Sequence, residues 1–166
     1  MTKKENLNNS IIPTGSTYLV KVGSSIEITN KIIRESSKSF FKKGMTQFEN
    51  KNYESAILHF SLAIANDSKF IDAIFYRGFA KSELGFYDES IYDFKRALEL
   101  DNKHIASLYQ ISYSYCSLKH YNEALATISI VIEIDPDWHS YMQRTGINKE
   151  LGRIEESNYD ENKAWK

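Results

Sequence analysis

The chain has 166 residues, 42% hydrophobic and 26% charged, an ordinary globular composition at a length that suits one domain. Lys plus Arg number 21 against 22 Asp plus Glu, a net charge of −1, which argues against electrostatic capture of nucleic acid or of an acidic membrane. The one cysteine, Cys116, excludes an intramolecular disulfide; no apolar run after Lys3 and Lys4 suits a signal sequence and none approaches a membrane span, so a cytoplasmic protein is expected.

The first 35 residues stand apart. Met1 to Ser10 is polar and rich in Asn and Lys, with too little apolar surface to fold by itself. After Pro13 and Gly15, the runs Tyr18-Leu-Val-Lys-Val22 and Ile26-Glu-Ile-Thr29 flank Gly23-Ser-Ser25. Two alternating β-branched runs around a Gly-Ser turn read as a short hairpin over 18–29, or as an extended arm. A two-stranded hairpin is marginal alone in water, so this arm is expected to lie on something: the segment that follows it, a second copy of the chain, or a partner.

From residue 36 the sequence is periodic. Tyr53 returns as Tyr87 and Tyr121, each step 34 residues. Ile57, Ile91 and Leu125 keep the same register, as do Phe60, Phe94 and Ile128, then Ala63, Ala97 and Val131, then Asp67, Asp101 and Asp135. A fixed period of this size marks stacked units, each burying its apolar face against its neighbours. Within the second unit, Ile74, Arg77, Gly78 and Leu84 run along one helix and Gly85-Phe86-Tyr87 makes a turn. Ser90, Ile91, Phe94, Ala97 and Leu98 then trace the i, i+3, i+4, i+7 stripe of a second helix.

These landmarks resemble the tetratricopeptide repeat, a 34-residue helix–turn–helix with a small residue at position 8, an aromatic after the turn, Ala or Ser at 20, an aromatic at 24, Ala at 27 and often Asp-Pro at the end. Gly44, Gly78 and Ser112 match position 8; Ala56, Ser90 and Ala124 match position 20; Asp135-Pro136 closes the third unit. A fourth copy, one residue out of step, carries Leu151-Gly152, Ile154, Ser157 and Ala164. Its polar Asn158 and Glu161, at positions that are otherwise apolar, suit a terminal cap. The resemblance covers roughly residues 36–166. It implies an all-α, right-handed superhelix of about 3.5–4 repeats, at 37–70, 71–104, 105–137 and 138–166, the last as a cap.

The resemblance also implies where a ligand would bind. In such arrays the first helices of successive units line a concave groove. By register, that groove holds Phe41, Met45 and Phe48 from the first unit, Phe75, Tyr76 and Phe79 from the second, Tyr109, Gln110 and Tyr113 from the third, and Met142 from the fourth. Helical periodicity does not require Phe41, Phe75, Phe79, Tyr109 and Tyr113 to be aromatic. The best-known ligands of the family, the acidic tails of cytosolic chaperones, are held by a clamp of Lys, Asn and Arg. At the corresponding positions this chain has Phe41, Met45, Tyr76, Ala106 and Gln110, or, one unit on, Phe75, Phe79, Gln110, His139 and Gln143. Neither frame supplies a lysine or arginine, so a co-factor of that type is not expected. An apolar, Tyr-rich trough suits an amphipathic helix or an extended apolar peptide. Burying ~300 Å² of it would contribute about 7–8 kcal/mol gross, which association costs reduce to a roughly micromolar interaction. The alternative is that the rings pack on one another, or that the chain's own arm, with Tyr18, Leu19, Val20, Val22, Ile26 and Ile28, covers them.

Chemistry has little footing. His59, His104, His120 and His139 are scattered, no pair has the i, i+4 spacing of a metal-binding helix, and there is no cysteine pair to join them. Cys116 lacks a sequence-level Cys-His signature. Glu54, Asp88-Glu89 and Glu155-Glu156 recur where second helices begin, favoured there by the helix dipole, and do not form a paired-acid site. The expected function is a noncatalytic, cofactor-free protein–protein interaction adaptor that binds a peptide or helix segment. Two further classes stay open: a chaperone of the secretion type, several of which use three such repeats at similar length, and a subunit that self-assembles into a homo-oligomer through its arm.

Overall fold

The computed structural model describes residues 25–165, with side chains from Ser36 onward. Among these residues every regular element is a helix: α1 (Ser25–Glu49), α2 (Tyr53–Asn66), α3 (Ile71–Glu83), α4 (Tyr87–Leu100), α5 (Ile105–Ser117), α6 (Tyr121–Ile134), α7 (Trp138–Glu150) and α8 (Ile154–Ala164). Each helix packs on the next, and α1 with α3 and α3 with α5 also touch. This is the stacked helical-hairpin array expected from the 34-residue period. The backbone of residues 25–35 is helical and continuous with the array, so 26–29, read from sequence as the second strand of a hairpin, lies within α1. The remainder of the 18–29 hairpin, and any docking of residues 1–24, fall outside the described residues.

The hairpin turns explain part of the period. All four are closed by the same pair of backbone bonds: Gly85 N–H to Ser82 C=O and Phe86 N–H to Lys81 C=O in the second unit, with counterparts at Lys51/Asn52, Lys119/His120 and Gly152/Arg153. This is the Schellman closure, which needs one residue with positive φ after the helix. Gly85 (φ 80°) and Gly152 (72°) adopt it freely, whereas Lys51 (59°) and Lys119 (61°) do so with a side chain.

The recurrent aspartates act in the opposite turns. Asp67 and Asp101 each accept from the backbone N–H two residues on, at 3.0 Å, and so fold the link to the next unit. In the third unit Pro136 follows the aspartate and the link is one residue shorter. Asp137 takes over there as the cap of α7 in a reciprocal capping box with Ser140.

Close approach explains the small residues. A Cβ built on Gly44 would lie 2.5 Å from Cε1 of Phe60, and one on Gly78 would lie 2.9 Å from Cε1 of Phe94. Phe60, Phe94 and Ile128, the three copies of position 24, are wholly buried, as are Ala56, Ala63, Ala97, Ala124 and Val131. In α8 the polar Asn158 is exposed and Glu161 half-buried.

Candidate functional site

The odd-numbered helices form one wall of the array, and its two halves differ. In the first half the groove residues expected from sequence pack on one another. Phe41 lies 4.9 Å from Phe70 and 5.9 Å from Tyr76, ring to ring, and Phe48 lies 5.7 Å from Tyr76 and 5.2 Å from Phe79. Phe75 joins the same set through Tyr76 at 5.3 Å, Phe94 at 5.6 Å and the His104 ring at 5.2 Å. Phe41, Met45, Phe48 and Tyr76 also cover the buried Ala56, Phe60 and Ala80. These half-buried rings, stacked tilted and edge-on, close the trough at that end, and each such pair adds about 0.5–1.5 kcal/mol beyond area burial.

In the second half the wall opens into a cavity of about 630 Å³. Phe79 and Glu83 of α3 form one side, Tyr109, Gln110 and Tyr113 of α5 the floor, and His139, Met142 and Gln143 of α7 the other side. Five of the ten groove residues expected from sequence therefore meet here: Phe79, Tyr109, Gln110, Tyr113 and Met142. The other five lie in the aromatic cluster. A volume of this size falls within the range of about 300–1,000 Å³ usual for ligand pockets.

Polar contacts fix the walls. The Tyr109 hydroxyl donates to Asp137 Oδ1 at 2.7 Å, tying the floor to the cap of α7, and its ring stacks 5.1 Å from His139. Burial first, and then the Asp137 carboxylate, push the Tyr109 phenol up to about 12. Partial burial works to raise the Asp137 carboxyl, but the hydrogen bonds from Tyr109 and Ser140 outweigh it and hold that group below its ordinary value. Gln143 donates to the Ser112 hydroxyl at 3.2 Å, so α5 and α7 are pinned in the middle as well. Tyr113 makes no such bond among the described residues and is 53% exposed, its ring facing solvent.

One feature escaped the sequence reading. Asp93 is wholly buried and accepts from Arg77 Nε at 2.9 Å and from Lys81 Nζ at 2.7 Å. Asp160, almost as buried, accepts from Arg144 Nε at 2.8 Å and from Asn148 at 3.2 Å. The hydrogen bonds it donates to Asp160 hold the Arg144 guanidinium above its ordinary pKa. The signal was present: Arg77 and Arg144, and Asp93 and Asp160, are spaced by the same 67 residues as Gly85 and Gly152. Two carboxylates, Glu83 of α3 and Glu150 of α7, occupy equivalent positions that register places on the groove wall. Glu83 accepts from the Tyr53 hydroxyl at 3.0 Å. Glu150 acts on Tyr121, the counterpart of Tyr53, and on Cys116; burial first and then Glu150 raise both groups.

The fold and this cavity define a class, a helical-repeat module with a walled groove. The chain has the tetratricopeptide-repeat fold. It is similar to the crystal structure of MamA (TM-score 0.76, 19% identity, 85% of each chain covered). It is also similar to the Arabidopsis OM64 TPR domain (TM-score 0.67, 19% identity, 70% of this chain and 98% of that one). A third likeness is to the first TPR of Spaghetti (RPAP3) bound to the HSP90 peptide SRMEEVD (TM-score 0.69, 18% identity, 72% of this chain and 95% of that one). At these identities the likeness is one of fold. No family model matches the sequence and no curated protein matches it significantly. No helix among the described residues is long and apolar enough to cross a membrane.

Proposed function

We propose that this chain is a noncatalytic protein–protein interaction adaptor, acting in the cytoplasm, that holds a peptide or helix segment of a partner in its groove. The carrying observation is the cavity between α3 and α7, floored by Tyr109, Gln110 and Tyr113 and walled by Phe79 and Met142. Rings and a thioether interleaved with Glu83, Gln110, His139 and Gln143 suit an amphipathic or apolar segment. The rings of Phe41, Phe48, Phe75 and Tyr76, with Met45, shape the closed end of the trough. A neighbour of the same fold holds a peptide, which supports the reading in kind. The acidic sequence of that peptide does not carry over, because the clamp positions here bear no lysine or arginine.

The test is capture with the intact protein, followed by mapping the captured partner with overlapping synthetic peptides. Tyr113→Ala and Met142→Ala should abolish binding of the mapped peptide while the thermal midpoint stays within a few degrees of the parent. Binding that survives both substitutions would refute the groove as the site.

A further inference from the structure

We infer that the groove segment between α3 and α7 selects a cationic amphipathic segment of a partner protein, with an apolar anchor at Phe79, Tyr113 and Met142 and its lysine or arginine beside Glu83 and Glu150. This rests on the reading of the cavity as a peptide site and adds the charge of its occupant.

Charge complementarity carries the argument. Helix α5, which floors the cavity, contains no charged residue at all. Three of the four cations of the flanking helices α3 and α7 are withdrawn from the groove. Arg77 and Lys81 of α3 are drawn to the buried Asp93, and Arg144 of α7 to the buried Asp160. Lys149 Nζ lies 3.8 Å from Glu161 of α8. Among the residues whose side chains are described, the other lysines of the odd-numbered helices are Lys38, Lys42 and Lys43, all of α1 beyond the closed aromatic end. Among the described residues neither the Glu83 nor the Glu150 carboxylate is ion-paired, Glu83 accepting only from the Tyr53 hydroxyl. Glu83 lines the cavity, Glu150 repeats its position one hairpin pair later, and both are exposed.

Two buried aspartates thus act at a distance on selectivity. By holding three cations on the far side of α3 and α7, they leave the groove side with a negative potential over aromatic faces. A lysine or arginine entering there meets a carboxylate and a ring quadrupole of the same favourable sign. An acidic segment meets like charge, with no lysine or arginine among the residues that line the cavity.

The experiment uses the full chain and two fluorescent probes: an amphipathic peptide of Leu, Phe and Lys, and its twin with every Lys replaced by Glu. The cationic probe should bind and the acidic twin should not, with affinity falling as salt rises. Glu83→Gln and Glu150→Gln should each weaken the cationic probe by about two- to fivefold, the range for exposed ion pairs. Glutamine keeps an acceptor for Tyr53, so the fold is retained, and circular dichroism checks that it is. Equal binding of both probes, lost together in Tyr113→Ala, would overturn the charge assignment and leave the groove reading intact. Failure of both probes, or binding indifferent to Tyr113→Ala, would sink both. Two further outcomes overturn the partner assignment: displacement of the probe by a synthetic peptide of residues 16–24, which makes the chain's own segment the occupant, and a dimer in light scattering that the cationic probe dissolves.

Discussion

The hydroxyl of Tyr109 donates to the carboxylate of Asp137 at 2.7 Å, and through that bond the floor of the groove is fixed to the first turn of the helix that walls it. Asp137 also caps α7 by accepting from the Ser140 N–H at 2.7 Å. One carboxylate therefore closes a helix end and positions a ring at the binding surface.

That double use predicts a pH dependence. The folded-state pKa of Asp137 is depressed below 3.8, so its contribution is fully present above that value and is lost as pH falls through the lower folded value. Asp137→Ala should cost about 0.5–2 kcal/mol at neutral pH, the usual worth of an N-cap. As pH falls below 3.8 the gap between variant and parent should narrow, as read by urea denaturation across the acid range. Tyr109 acts at the other end. Its folded value is raised from 10.0 to about 12, so its proton is held more tightly in the folded state and stability falls as pH rises between those limits. Tyr109→Phe should remove that alkaline slope at a cost of about 0.5–1.5 kcal/mol.

Removing one side of the buried ion pairs should cost far more. Asp93 is 0% exposed and satisfied by Arg77 and Lys81. Arg77→Met leaves the carboxylate with Lys81 alone and should destabilise by about 3 kcal/mol or more, since breaking a buried pair typically costs 3–5. Replacing Arg77 and Asp93 together, with Met and Leu, should recover much of that loss. A double variant no more stable than the single one in chemical denaturation would show that the pair holds the array together in its own right.

Two turn lysines offer stabilisation instead. Lys51 and Lys119 occupy the left-handed region at φ 59° and 61°, where the second and fourth hairpins have glycine. Lys51→Gly and Lys119→Gly should each stabilise by about 0.5–1 kcal/mol, the relief of the Cβ clash less the added freedom of the unfolded chain. Gly85→Lys, with the same backbone need, should lose a similar amount. Melting temperatures of the three variants check the sign.

The helical glycines separate by what faces them. Gly44→Ala places its Cβ within 2.5 Å of the wholly buried Phe60 ring, and should cost about 1–3 kcal/mol through overpacking. Gly146→Ala meets nothing within 4 Å in the middle of α7 and should stabilise by about 0.5–1 kcal/mol through helix propensity. Opposite signs in calorimetry would confirm that the first glycine is there for space and the second is not needed for it.

These contrasts show what a sequence can carry. The period was legible because Phe60, Phe94 and Ile128 must fill the same gap in each unit, and one gap admits few residue types. The helix boundaries followed, because turns with a shared closure fall at a fixed spacing. Arg77 and Asp93 were legible in principle but carry no apolar pattern; their meaning lies in a contact between two helices that only packing reveals. The groove was half legible. Register places Phe41 and Tyr113 on the same wall, but whether a ring is spent on its neighbours or left for a ligand depends on the size of what stands opposite. At Phe41 the opposite residues are Phe70 and Tyr76; at Tyr113 the wall opens.

That difference makes the last prediction. Phe41 touches the rings of Phe60, Phe70 and Tyr76, so Phe41→Ala removes a keystone and should destabilise by about 3–5 kcal/mol, the range for a buried aromatic, discounted toward the lower end for its partial exposure. Tyr113 stands 53% exposed on the open side of the same wall, so Tyr113→Ala should change stability by no more than about 0.5 kcal/mol. Binding should show the reverse order: Tyr113→Ala removes ligand contact outright, while Phe41→Ala, studied below its own melting transition, leaves the cavity between α3 and α7 standing. If the two variants moved stability and binding in parallel, the trough would be one continuous structural layer, and its open half would have no separate claim to a ligand.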